Sequence, residues 1–545
     1  MNLLDLVIFA PAIGFLLVLF LPKDNADTIK RATLIISVLI FLVSLLLIPG
    51  VLANPGQMSY VSDGQWIKYP NIRYHVGIDG VSLWLIILTT FLTPIATLIS
   101  WRHIDQRQKL FYAFLLLLEF GVIGVFGALD LFLFYVFWEV SLVPMYFLIG
   151  IWGHERRIYA AVKFFLYTMA GSVLMLAAII YLYNRTGTFD FPTLVNLIQS
   201  GRLMLGHTEQ TLLFLAFFIA FAIKVPLFPL HTWLPDAHVE APTAGSVMLA
   251  SVMLKMGTYG ILRFCLSMFP NAARENADWI AVLSIIGIVY GALVAMVQPN
   301  IKKLVAYSSV SHLGFVVLGL FSFNQMAWDG AVYVMLAHGV STGALFMLVG
   351  YLYERRHSLA IKDFGGVATP APWLSTVFLV TTLASIGLPT LSNFIGEFLV
   401  LQGAATAKFQ WAVFAAVGVI LSACYMLWLY QRTFLGRAPG MAETAGHGHG
   451  GHAHDPDTAA QADEHVSHEH SGQDMPDMVG REWAAILPMI ILMIWMGVAP
   501  QTFLPSIGAS NSAMLAITKG RLEQQVNLVP NGAMSQLAQE TAHAK

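Results

Sequence analysis

Runs of about twenty consecutive apolar residues, the length a helix needs to cross the hydrocarbon layer of a bilayer, recur along almost the whole chain. No other feature restricts the fold as strongly. Inside hydrocarbon every backbone N–H and C=O must be paired within the protein, which leaves helices and closed barrels as the only spanning structures. Barrel strands are about half this length and alternate in polarity, so these runs read as helices. They fall at approximately 4–21, 31–52, 80–100, 111–128, 130–150, 158–183, 211–229, 242–264, 278–297, 303–323, 330–352, 373–404, 411–434 and 484–505, the twelfth unusually long. The reading is an all-α polytopic membrane protein with about fourteen transmembrane helices.

Composition agrees with this. The chain is 57% hydrophobic and 11% charged with a mean hydropathy of +0.69, whereas a soluble domain carries about 25% charged residues. A net charge of −2 supplies no basic field for nucleic acid. Cys265 and Cys424 lie in apolar runs without CxxC spacing, so they read as packing residues and not as iron–sulfur or zinc ligands. The first run lacks a basic start and a small-residue cleavage site, and residues 1–20 contain no Lys or Arg. It therefore reads as the first span, not as a signal peptide or a mitochondrial presequence, and a bacterial inner membrane is the expected home.

Orientation follows from Lys and Arg in alternate loops. One set of loops holds sixteen, among them Lys23, Arg102, Arg156, Lys302, Arg355 and Arg432; the other holds six, Lys68, Arg73, Arg185, Arg202, Arg274 and Lys408. Both termini are predicted to face the non-cytoplasmic side. The stretch 436–482 is not membrane and contains seven of the seventeen histidines. Among them His447, His449, His452 and His454 form a tract that can bind metal weakly, although the simpler reading is a flexible cytoplasmic loop. The tail after about residue 506 is polar and is expected to be extended.

Most of the chemical information lies in ionisable residues placed in mid-membrane: Glu139 in the fifth span, Lys224 in the seventh, Lys255 in the eighth and Glu397 in the twelfth. A charged side chain at the bilayer centre costs about 2.5–3.5 kcal/mol, so such groups persist only beside a partner or internal water. His312 and His338, in the tenth and eleventh spans, add titratable sites to the same belt. A lone histidine there is more often a satisfied core residue, and a lone Glu near a helix end snorkels. Two deep lysines change that balance. A structural ion pair needs one Lys and one Glu, which leaves Lys255 without an acid and favours a relay. Glu119, in the fourth span, is a weaker candidate: a relay member or a packed, protonated acid.

The backbone beside these charges is interrupted. Pro226 and Pro229 follow Lys224, and each proline removes a donor, freeing the carbonyls of Ala222 and Val225. The seventh helix is predicted to break there. The twelfth repeats the device with Gly387 and Pro389, followed by Ser392 and Asn393, which are expected to cap a second half-helix carrying Glu397. Broken helices in corresponding positions of two halves point to an inverted-repeat transporter.

The stretch AIKVPLFPLHTWLPDAHVEAPTAGSVMLASVMLKMG, residues 222–257, closely resembles the signature of the antiporter-like subunits of respiratory complex I and of multisubunit cation/proton antiporters. The runs LFLFYVFWEVSLVPMYFLIGIWG and GIDGVSLWLIILTTFLTP resemble the subunit M family of bacterial NADH:quinone oxidoreductase, equivalent to chain 4 of the mitochondrial enzyme. The resemblance runs from the third span to the fourteenth. It implies that Glu139, Lys224 and Lys255 are proton-channel residues and that Glu397 is the terminal acid. Sister subunits generally carry Lys at that last position. It also implies two inverted five-helix repeats, 111–270 (spans four to eight) and 271–435 (nine to thirteen). Before them stands a three-helix segment, 1–110; after them come the His-rich loop, 436–482, and the last helix with its tail, 483–545. No long lateral helix is expected after the fourteenth span, and the His-rich loop departs from the family's pattern.

The mechanism expected from these residues is a Glu139–Lys224 ion pair whose making and breaking sets the hold of the lysine on its proton. At 4 Å and an effective dielectric of 20 such a pair is worth about 4 kcal/mol, or roughly three pH units. Lys255 is the next carrier, with His312 and His338 bridging through water to Glu397. No redox centre or nucleotide loop is legible, and no histidines are indicated on facing helices for a haem. By resemblance, NADH, FMN, Fe–S clusters and quinone belong to partner subunits, including paralogous antiporter-like subunits on either side in the bilayer. The alternatives are a subunit of a Na⁺/H⁺ antiporter, a subunit of a membrane-bound hydrogenase or formate hydrogenlyase, and, in a different class, a structural assembly scaffold.

Overall fold

The computed structural model describes residues 2–436 and 475–528, so the histidine tract around His447, His449, His452 and His454 lies outside the described residues. Twelve of the described helices are long and apolar enough to cross a membrane, making this a multi-pass membrane protein. In chain order they are the first span (Leu3–Phe20), second (Ala26–Ala53), third (Gly80–Ile99), fourth (Gln108–Gly127), fifth (Leu131–Trp152), sixth (Arg157–Thr186), eighth (Thr243–Met268), ninth (Ala277–Met296), tenth (Ile301–Leu320), eleventh (Gln325–Arg356), thirteenth (Phe409–Phe434) and fourteenth (Gly480–Val498). The seventh and twelfth predicted spans each occur in two pieces: His207–Lys224 with Trp233–Glu240, and Pro372–Ser385 with Ser392–Ala407.

The spans differ sharply in burial, and the difference locates the chemistry. The apolar windows of the eighth and eleventh spans are 100% buried inside the protein and that of the tenth 89%, against 39% for the first and 33% for the thirteenth and fourteenth. The outer helices leave Leu, Ile and Phe exposed, among them Leu16, Phe414 and Ile420. The inner three carry Lys255, His338 and His312, where side chains are screened from hydrocarbon and can be partnered. The tenth span packs between the ninth and the eleventh, and the second half of the twelfth lies along the eleventh.

Two regions outside the spans have structure that their polarity concealed. Between the second and third spans, β1 (Ser59–Ile67) pairs antiparallel with β2 (Ile72–Ile78). Asp5 of the first span ties this hairpin down, accepting from Ser62 Oγ at 2.8 Å and Tyr74 Oη at 2.9 Å.

The tail, expected to be extended, is instead a helix from Leu504 to Leu528. Its local sequence, rich in Ser, Gly and Asn, is a weak helix former, and the order comes from tertiary contacts. Ser506 Oγ accepts from Trp84 Nε1 at 2.8 Å, Ser510 Oγ accepts from the Gly80 amide at 2.8 Å, and Asn511 Nδ2 donates to Asp329 Oδ1 at 2.8 Å.

Candidate proton pathway

The first helix of the seventh pair ends on Lys224 itself. Pro226 and Pro229 follow immediately: Ala222 O, freed by Pro226, accepts from Leu227 N–H at 2.7 Å, and Ile223 O, which that shift leaves without its helical donor, accepts from the Trp233 indole at 2.8 Å. Lys224 is 1% exposed. Its Nζ lies 5.4 Å from the Trp138 ring centroid and 5.3 Å from that of Phe164, within range of cation–π attraction.

The expected Glu139–Lys224 ion pair is open. Lys224 Nζ and Glu139 Oε1 are both buried with no hydrogen-bond partner among the described residues. The aromatic faces take the place of the carboxylate, and Trp138, one of them, is Glu139's own neighbour on the fifth span.

Lys255 occupies an α-helical turn, Leu254–Gly260, between two π-helical segments, Leu249–Met253 and Ile261–Cys265. Within the first, the Leu254 amide bonds to Leu249 O, skipping the usual acceptor, Ala250 O. The released carbonyl accepts from Lys255 Nζ at 2.6 Å, and the same nitrogen lies 2.8 Å from His338 Nδ1. For Nζ to donate to both, His338 must be neutral with its proton on Nε2. π-Turns of this kind concentrate at functional sites. Composition and periodicity carry no signal for them.

Beyond His338, the ring of His312 stands with its centroid 5.8 Å away at 56°. His312 Nδ1 contacts Glu397 Oε1 directly at 2.8 Å, with no bridging water, and Tyr425 Oη lies 3.5 Å from Nε2. The two histidines thus do face one another from neighbouring helices, contrary to the sequence expectation. Among the described residues no group of three or more His, Cys, Asp or Glu is arranged to hold a metal.

Gly387 and Pro389 mark the break in the twelfth pair, as Pro226 and Pro229 do in the seventh. Gly387 has φ +76°, a left-handed conformation that favours glycine, and a Cβ there would stand 3.3 Å from Glu397 Oε2. Ser392 and Asn393 do not cap the second half-helix: its N-cap is Leu391, which makes no side-chain cap bond. Asn393 spans the break instead, its Nδ2 donating to Ser385 O at 3.3 Å while Oδ1 accepts from Ser341 Oγ at 3.2 Å.

Lys255, His338, His312 and Glu397 therefore form one buried row across the eighth, eleventh, tenth and twelfth spans. Lys224 and Glu139 stand apart from it. Glu119 is fully buried with both carboxylate oxygens unpartnered among the described residues. Two groups not singled out from the sequence belong near the row. His238 is fully buried on the second seventh helix, both ring nitrogens unpartnered, its ring stacked 4.4 Å from Phe346. Lys302, counted above as a loop charge, is buried and donates to Ala241 O at 2.5 Å, the carbonyl that ends that same helix. The signal for His238 was its place in the quoted signature. Lys302 gave none, because an apolar-run count sets it at a helix end.

A broken seventh helix aimed at a fully buried eighth, with the device repeated at the twelfth, defines the class of antiporter-like membrane subunits. The family described as NADH:quinone oxidoreductase/Mrp antiporter, transmembrane, matches residues 128–422, and the amino terminus of NADH-ubiquinone oxidoreductase chain 4 matches residues 6–124. NADH-quinone oxidoreductase subunit M of Rhodobacter capsulatus is 43% identical over 93% of this chain and 95% of its own length. NADH-ubiquinone oxidoreductase chain 4 of Arabidopsis thaliana is 41% identical over 93% and 96%. A chain in the structure of respiratory complex I from Thermus thermophilus with bound NADH superposes with a TM-score of 0.80 at 30% identity, covering 95% of this chain and 99% of that one. A chain of the Mrp complex from Dietzia gives 0.79 at 20% identity, covering 96% and 100%, and shows the fold alone. The chain belongs to this family, in its subunit M, or chain 4, branch.

Proposed function

We propose that the chain is a proton-translocating membrane-arm subunit of a bacterial NADH:quinone oxidoreductase, lying in the inner membrane with both termini on the non-cytoplasmic side. Protons pass from Lys224 to Lys255 and on through His338 and His312 to Glu397, the terminal acid. NADH oxidation and quinone reduction in partner subunits supply the energy, since those subunits hold the NADH, FMN, Fe–S and quinone sites. The supporting observation is a pair of direct contacts, Lys255 Nζ to His338 at 2.8 Å and His312 to Glu397 Oε1 at 2.8 Å, with the centroids of the two imidazoles 5.8 Å apart between them.

Each member of that row is an ionisable side chain able to carry a proton, and none is a redox centre. The open Glu139–Lys224 contact corresponds to one state of the switch. With Glu139 withdrawn, the Lys224 ammonium keeps only aromatic faces and gives up its proton toward Lys255. Closing the pair restores a Coulombic term of about 4 kcal/mol at 4 Å and an effective dielectric of 20 and draws a proton back.

The test is NADH-driven proton uptake by inverted vesicles carrying Lys224→Ala, with assembly checked by native gel. Collapse of pumping and of coupled turnover in an assembled complex is expected. Wild-type pumping would make the buried lysine structural and return the scaffold reading. Co-purification with NADH-oxidising partners, and pumping independent of Na⁺, separate this reading from a cation antiporter of the same fold.

A further inference from the structure

Lys255, Tyr259 and Arg263 are three titratable residues at four-residue intervals on the eighth span. That spacing places all three on one stripe, and each reaches a different neighbour. Lys255 meets His338 of the eleventh span. Tyr259 Oη donates to Phe126 O of the fourth at 3.0 Å and lies 2.9 Å from Ser82 Oγ of the third. Arg263 Nη2 donates to Asp79 Oδ2 at 2.7 Å, and its Nε reaches Tyr259 Oη at 3.3 Å.

The Arg263–Asp79 pair is 2% and 3% exposed. Asp79 is doubly committed, since its Oδ1 also accepts from the amides of Val81 and Ser82 at 3.1 and 3.0 Å, capping the third span. Arg263 sits inside the second π segment, so the span is irregular on both sides of Lys255. A helix carrying two such turns has no fixed rotation of its own and takes it from its anchors.

We propose that the Asp79–Arg263 ion pair is a positioning pair for the Lys255 proton site. It fixes the rotation that presents Lys255 to Ala250 and His338, and it neutralises a positive charge that would otherwise act on Lys255 through the protein interior. The inference rests on the reading of Lys255 as a proton carrier. Guanidinium and ammonium are eight residues apart, roughly 12 Å along a helix axis. At an effective dielectric of 20 an uncompensated charge at that distance shifts a protonation equilibrium by up to about one pH unit. The groups facing Lys255 are His338 on the eleventh span, His312 behind it on the tenth and His238 on the second seventh helix, while the fourth span, packed against the same turn, carries Glu119.

The test uses the assembled complex in inverted vesicles, comparing wild type, Asp79→Asn, Arg263→Lys, Arg263→Gln and the double variant Asp79→Asn/Arg263→Gln, with proton uptake and coupled turnover followed from pH 6 to 9. In Asp79→Asn the guanidinium cannot discharge, so the alkaline limb of the profile moves to lower pH by up to about one unit. Arg263→Lys keeps the limb in place. Arg263→Gln moves it little, because Asp79 can take up a proton. The double variant returns the limb to its wild-type position even where the maximal rate is reduced. Loss of rate in the single variants with no movement of the profile, or a double variant displaced as far as Asp79→Asn, overturns the proposal. If Asp79→Asn fails to assemble, the double variant decides: a limb away from the wild-type position overturns it. Lys255→Ala, run in parallel, separates the two levels. Normal pumping there defeats the proton-carrier reading, while collapse there with an unmoved Asp79→Asn profile defeats only the positioning role.

Discussion

His338 is the one side chain that joins the two halves of the buried row, contacting Lys255 by one nitrogen and facing His312 with its ring. Replacing it by Gln keeps a hydrogen-bonding group for Lys255 but removes a titratable site. His338→Gln is therefore expected to assemble and to lose about a hundredfold in proton uptake, the lower end of a positioned proton-transfer group's contribution, as read in inverted vesicles. Unchanged uptake would mean that protons bypass the imidazole. A second residue-scale prediction concerns the loop between the fifth and sixth spans. Burial, reinforced by the positive charges of Lys302 and His103, holds His154 at about 4, below its ordinary 6.5. A group depressed in the folded state contributes stability that is present above about 6.5 and is lost as the pH falls toward 4. Thermal inactivation of the solubilised complex should thus accelerate between pH 7.5 and 5, and less so in His154→Gln. Equal acceleration in both would acquit this histidine. Of these residues, Glu139, Lys224, Lys255, His312, His338 and Glu397 were legible from sequence because ionisable groups stand out in apolar runs. Asp79, Arg263 and Lys302 were not, because an ionisable residue at the end of a run reads as a snorkelling or loop charge until its neighbours are seen.

At the level of elements, the first seventh helix and the eighth span meet backbone to backbone at Gly257, and the absence of a side chain there is what lets them. A Cβ at this position would stand 2.7 Å from Phe221 O and 3.0 Å from Val225 N, both backbone atoms with no side-chain freedom to yield. Gly257→Ala is expected to push the two helices apart at a cost of about 1–3 kcal/mol, the usual range for overpacking. The measurement is the thermal midpoint of the purified complex together with its proton-to-electron ratio; a fall in neither would show that the crossing can relax. The breaks beside Lys224 and Glu397 were foreseeable, since proline and left-handed glycine act on the backbone locally. What bridges them was not. Asn393, expected as a cap, instead ties the two halves of the twelfth pair to Ser341 of the eleventh span, and the π-turn that hands Ala250 O to Lys255 arises from helix contacts that leave no periodic trace.

For the molecule as a whole, the helix after the fourteenth span contacts the third and eleventh spans, 430 and 182 residues earlier in the chain. Asn511→Leu leaves Asp329 short of a donor in a half-buried site, so it is expected to lower the amount of assembled complex on a native gel at 37 °C while leaving the pH profile of the remaining activity unchanged. A displaced profile would instead connect this clasp to the proton path. The sequence by itself determined that the chain spans a membrane many times, where the charges sit and where two helices break, because hydrocarbon leaves the backbone no alternative to helix and because proline acts within one turn. Only the tertiary structure decided which charges meet. It opened the Glu139–Lys224 pair, closed the His312–Glu397 contact, and folded the hairpin and the tail. Those outcomes depend on the rotation of each helix about its axis, and when almost every face is apolar the sequence leaves that rotation free until neighbouring helices fix it.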